Sequence, residues 1–142
     1  MTAELFLTTD WSFDKLAPFG KDITAAMVKL AARFPKDTTV ESLAEDVMSG
    51  RCQLWLVLDE GKFVLMGLTE IKLNPATGNK SVFIPSLGGV DGIATVPLIK
   101  GVEEYARSIG AHEVTICGRD GWKRPLAKQG YRARTALYRK DL

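Results

Sequence analysis

The stretch SVFIPSLGGVDGIATVPLIKGVEEYARSIGAHEVTICG, Ser81 to Gly118, decides the fold. It opens on an apolar, β-branched run, crosses a glycine-rich loop, takes up helical spacing from Val102 to Ile109, and closes on a second β-type run, EVTICG. Strand, helix and strand in that order predict two parallel strands joined by a right-handed crossover. Gly88, Gly89 and Gly92 fall in the loop, where the lack of a side chain permits positive φ and close approach to a phosphate. Pro85 has no N–H to give to a ladder, so the first strand should bulge or lose a neighbour beside it. Backbone groups freed there would suit an extended, amide-bearing ligand such as the pantetheine arm of coenzyme A. A plain glycine-rich turn beside an edge proline has the same spacing, and both readings stay open at this point.

Upstream, QLWLVL, the turn Asp59-Glu60-Gly61-Lys62, FVLMGLTEIKL, the polar loop NPATGNK and SVFIPSL predict a three-stranded antiparallel meander. Thr38 and Glu41 have capping-box spacing ahead of a helix whose stripe is Val40, Leu43, Ala44, Val47 and Met48, ending at Gly50. Before it, Ile23, Met27, Leu30, Ala31 and Phe34 recur at helical spacing until Pro35. ELFLTT is a strand candidate, followed by Trp11, Phe13, Leu16 and Phe19 around Pro18. Downstream, GWKRPLAKQ predicts a short helix and YRARTALYRKDL one or two final strands. The whole predicts a single α/β domain over residues 1–142, with a mixed, mostly antiparallel sheet and helices on both faces.

At 142 residues, 46% hydrophobic and 25% charged, the composition is that of one globular domain. The amino terminus, MTAELFLTTD, has neither the basic region nor the apolar core of a secretory signal, so a cytoplasmic location is expected, with no membrane association. Cys52 and Cys117 lack metal or redox spacing and are expected to be buried thiols. His112 is the only histidine, expected in an exposed loop, and no metal site is expected. Net charge is +2, but the halves differ: 7 basic and 11 acidic residues in 1–71, 12 and 6 in 72–142. Arg119, Lys123, Arg124, Lys128, Arg132, Arg134, Arg139 and Lys140 fall in the last 24 residues. Such a cluster attracts phosphate, yet the modest total charge and the lack of an aromatic ladder argue against nucleic acid from sequence alone.

Two amino-terminal helices, a meander with VLMG ending on Gly67, the GxxGxA pattern from Gly89 to Ala94, VEEYARSIGAHEVTI from Val102 to Ile116, and LAKQGY ending at Tyr131 follow one another in a familiar order. In this the chain resembles the GCN5-related N-acetyltransferases (GNAT) over most of its length. The resemblance implies the GNAT fold, acetyl-CoA as cofactor, and acyl transfer to an amine acceptor that the sequence does not identify. It places the cofactor on the backbone of Ser86, Leu87 and Gly88 and on Val90, Gly92 and Ala94.

The chain departs from that pattern in two places. Gly89 stands where the family's loop has Gln or Arg, and Pro97 predicts a late helix start near Thr95. Counting back from Gly130 puts Leu126 at the family's general-acid tyrosine position, Trp122 at its alanine and Arg119 at its asparagine, while Tyr131 and Tyr138 lie elsewhere. For the general base, Glu70 is the only carboxylate within FVLMGLTEIKL. It shares a strand face with Met66, Leu68 and Lys72, so either burial or an ion pair with Lys72 is expected there. GRDGWKRPLAKQGY also resembles GNAT-like proteins of tailed bacteriophages. That resemblance implies an alternative: a catalytically degenerate GNAT-fold virion or assembly protein whose partners are other virion proteins, with Trp122, Arg124 and Tyr131 at the contact.

Overall fold

The computed structural model describes residues 3–88, 99–117 and 120–142. Strand β1 (Ala3–Leu7) leads to a short helix α1 (Phe13–Leu16) and a 3-10 turn (Ala17–Phe19), then α2 (Gly20–Arg33) and α3 (Val40–Met48). Strands β2 (Cys52–Asp59), β3 (Lys62–Leu73) and β4 (Lys80–Gly88) follow, then α4 (Ile99–Ser108), β5 (Glu113–Ile116), a second 3-10 turn (Asp120–Trp122) and α5 (Lys123–Ala127). The five strands lie in the order β1-β2-β3-β4-β5. β1 to β4 are antiparallel neighbours, and β5 is parallel to β4 across the helical connection.

The β2–β3 turn shows why DEGK reads as a hairpin. Asp59 pairs with Lys62, and Glu60 and Gly61 adopt φ of 50° and 80°, the left-handed pair that a two-residue turn needs. Each face of the sheet has its own core. On one, Leu54, Leu56, Leu58, Met66 and Leu68 meet Ile23, Met27 and Leu30 of α2 and Leu43 of α3. On the other, Trp55, Val82 and Ile84 meet Ile99, Val102 and Ala106 of α4. Burying each such aliphatic side chain stabilises by about 1.5–3 kcal/mol before chain entropy is subtracted. Helix α4 lies close against β1: a Cβ at Gly101 would come within 2.8 Å of Leu5 Cδ2.

Four expectations need correction. The capping box is one residue further on: Thr39 Oγ1 accepts from Ser42 N–H and Ser42 Oγ from Thr39 N–H, both at 3.0 Å. Thr38 is diverted, its hydroxyl donating to the Phe34 carbonyl that closes α2. Ser12 caps the unanticipated α1, accepting from Lys15 N–H at 3.2 Å. Cys52 is buried as expected but Cys117 is exposed, because β5 ends at Ile116 and Cys117 lies past the packed ladder. The predicted final strands do not form, and residues 131–142 carry no regular secondary structure. In that segment Leu137 is 83% and Tyr138 91% exposed, and Ala133 and Thr135 have little apolar area to bury, so no face exists to hold a strand on the sheet. Side-chain pairs fasten it instead, with Arg139 donating to both Asp37 carboxylate oxygens (3.2 and 2.8 Å) and Lys36 to Asp141 at 2.6 Å.

Candidate functional site

The site is set by where the sheet stops being continuous. Along β4, Leu68 faces Ser86 and Glu70 faces Phe83, so Thr69 alone stands opposite Ile84 and Pro85. This is the bulge that a proline within the strand predicts. On the other side, the β4–β5 ladder runs from Ser81↔Glu113 to Ile84↔Ile116, and Cys117 N–H closes it on the Ile84 carbonyl at 3.1 Å. Beyond it, Ser86, Leu87 and Gly88 stay paired with Leu68, Gly67 and Met66 of β3. Among the described residues they have no strand partner on the β5 side.

An apolar cleft of about 20 Å³ adjoins this opening on the α4 face, lined by Gly67, Thr69, Trp55, Ile84, Ile99 and Val102 among others. Its one polar wall is internally satisfied. The Trp55 Nε1–H donates to Thr69 Oγ1 at 2.9 Å, and the Thr69 hydroxyl donates to Gln53 Oε1 at 3.0 Å. Thr69 is 2% exposed, so this chain fixes the indole in the core beside the bulge. Tyr105 of α4 meets the indole edge-on, with ring centroids 5.5 Å apart, and burial pushes its phenol up. Sequence reasoning missed Thr69, Gln53 and Trp55 as a unit. The available signal was a lone threonine inside the apolar run LMGLTEI.

Glu70 lies one pair away from the bulge, opposite Phe83 and, on the other strand, Cys52. Its carboxylate is held by Arg51, Nε to Oε1 at 3.5 Å, and Arg51 also reaches Asp46 at 3.8 Å. The expected pairing with Lys72 is not formed. Lys72 instead places its ammonium 4.4 Å from the Phe83 ring centre, on the neighbouring strand. Burial, followed by the nearby Asp46 and Glu70 carboxylates, pushes the Cys52 thiol up, with Arg51 opposing; the thiol is therefore held in its neutral form.

Of the predicted cofactor residues, Ser86, Leu87 and Gly88 lie on the open stretch of β4. Val90, Gly92 and Ala94 lie outside the described residues, as do Gly89, Thr95, Pro97 and Arg119. Leu126, which the resemblance puts at the general-acid tyrosine position, packs against the α4-face core. Tyr131 packs beside it and donates its phenol proton to Glu103 of α4 at 2.6 Å. Burial first, then this hydrogen bond and the Glu103 charge, push the Tyr131 pKa well above the usual phenol range, with Arg107 opposing. Tyr138 is 91% exposed, and His112 is exposed in the loop ahead of β5, as expected. Among the described residues no three His, Cys, Asp or Glu side chains gather into a metal-binding group, and no helix is long and apolar enough to cross a membrane.

The sheet order, the parallel β4–β5 step, the opening after Ile84 and helices on both faces define a GNAT-type fold, and comparison with solved structures bears this out. The chain is similar to an acetyltransferase of Trypanosoma brucei, with TM-score 0.65, 16% identity and 99% of each chain covered. It is similar too to glucosamine-6-phosphate N-acetyltransferase from Arabidopsis thaliana (TM-score 0.66, 11% identity, 99% of each chain). A GNAT family acetyltransferase of Staphylococcus aureus gives TM-score 0.60 at 14% identity over the whole of both chains. No family model and no curated protein matches the sequence.

Proposed function

We propose that the chain binds acetyl-CoA along the open stretch of β4 and transfers the acetyl group to an amine. The observation that carries this reading is the backbone of Ser86 to Gly88, paired with β3 and left without a described partner on the β5 side. These N–H and C=O groups suit an extended ligand that carries amides of its own. The acetyl-CoA thioester supplies an activated carbonyl with a thiolate leaving group. In the reaction a C–N bond forms, the C–S bond breaks, and the amine gives up a proton.

Glu70 is the carboxylate that takes this proton in the reading, through water, because Arg51 already engages one of its oxygens. Leu126 has no proton to give, and the Tyr131 phenol is committed to Glu103, so solvent protonates the departing thiolate. Thermal melting with and without millimolar acetyl-CoA tests the reading. Ligand at about 100 times its dissociation constant adds about 2.7 kcal/mol, a shift of several degrees for a domain of this size. Gly92→Glu should abolish the shift, while Leu126→Ala should lower the melting temperature and keep the shift. No shift for the native chain overturns the proposal and favours the alternative, in which the fold serves only as the scaffold of a bacteriophage virion component. A shift with amine turnover unchanged in Glu70→Gln would remove Glu70 from the mechanism and leave the cofactor site intact.

A further inference from the structure

The segment from Gly121 to Lys140 contains Lys123, Arg124, Lys128, Arg132, Arg134, Arg139 and Lys140 and no acidic residue. The structure shows what becomes of these seven charges. All are exposed, on α5 and on the irregular tail that follows. Arg139 is tied to Asp37; among the described residues the other six make no ion pair. Arg124 on α5 and Lys128 at its C-cap are four residues apart and share a face, while Leu126 and Tyr131 anchor the same region to the α4-face core. The cations are therefore presented on a fixed base and a tail free of any backbone ladder.

We infer that this carboxy-terminal segment is a nucleic-acid-binding arm that grips the phosphate backbone. Six uncompensated cations in one acid-free run give a local field that the net charge of +2 conceals, since the first half of the chain is acidic. Four of the seven are arginines, whose planar forks match phosphate oxygens in a way a lysine does not. Tyr138, 91% exposed beside Arg139, offers a ring on which an unpaired base can stack. Asp37 already stands in for an anion against Arg139, in a solvent-exposed pair that a phosphate can replace. This arm is independent of the acetyl-CoA reading, because it uses neither the open stretch of β4 nor Glu70.

Fluorescence anisotropy of a labelled single-stranded oligonucleotide with the full chain tests the proposal. Binding should be measurable at about 50 mM salt and weaken with a log–log salt slope of about −4, from about −0.7 for each of six phosphate contacts. The double substitution Arg132→Glu and Arg134→Glu should lower affinity at least about tenfold and flatten the slope, leaving the melting temperature unchanged because both side chains are exposed and unpaired. Lys21→Glu with Lys29→Glu on α2, which changes net charge by the same amount, should leave binding nearly intact. Absence of binding overturns the proposal, as does an equal loss in the two double variants. Tighter binding of poly-glutamate than of the oligonucleotide also overturns it, since the arm would then be a site for acidic protein.

Discussion

Strand β4 is two structures in one. From Lys80 to Phe83 it is paired with β3 on one side and, from Ser81 to Ile84, with β5 on the other, and Val82 and Ile84 are almost fully buried. Among the described residues, Ser86 to Gly88 keep only their β3 side. Val82 and Ile84 in the first half hold the fold, whereas the backbone of Ser86 to Gly88 has no described partner on the β5 side. The bulge at Ile84 and Pro85, opposite Thr69, separates them. The two faces of the sheet repeat the contrast. The α2/α3 face is a continuous leucine-rich core, and the α4 face carries a cleft and a buried polar chain.

The sharpest way to test the closed side is Leu56→Ala. Leu56 is 0% exposed at the centre of the α2/α3 face, and its truncation should lose about 2–5 kcal/mol in urea unfolding. Any acetyl-CoA-induced melting shift should persist in this variant. Loss of the shift would mean that the two faces are coupled, not separate.

Thr69→Val strikes the boundary, opposite the bulge. It orphans the Trp55 indole N–H and leaves Gln53 Oε1 without its donor, and should lose about 1–3 kcal/mol. A redshifted tryptophan emission would show that the indole has left its place; unchanged stability and emission would mean that the polar chain does not hold the cleft wall.

Tyr131→Phe has the smallest expected effect, about 1 kcal/mol, from losing a half-buried hydrogen bond to Glu103. Its signature is in pH. The Tyr131 phenol is raised in the folded chain, so its contribution is complete below the ordinary tyrosine value of about 10. Above that value the unfolded chain releases the proton while the folded chain retains it, and stability falls as pH rises. The phenylalanine variant should lack this part of the alkaline decline. Identical alkaline profiles would show that the Tyr131–Glu103 bond is not formed in solution.

Much of this architecture was legible because it depends on short-range pattern. The meander followed from alternation and from DEGK, α3 from its stripe, and the parallel step from the strand–helix–strand order of Ser81 to Gly118. The capping box was displaced by one residue because Thr38 and Thr39 have the same chemistry, and only the Phe34 carbonyl distinguishes them. The tail was misread because strand propensity says nothing of whether an edge and an apolar face are available to receive it. At the site, Pro85 announced the bulge, but nothing in the spacing gave Glu70 to Arg51 or Thr69 to Trp55.

By itself, then, the sequence determined α2, α3, the meander, the strand–helix–strand step and the position of the bulge in β4. These are properties of periodicity, of glycine and of a missing N–H, which act within a few residues. Only the tertiary structure decided on which side Ser86–Gly88 are paired, which partner each polar side chain takes, and which cations in the last twenty residues have no ion pair among the described residues. Those outcomes depend on distances between residues far apart in the chain, such as the 102 positions between Asp37 and Arg139, and a linear pattern carries no record of them.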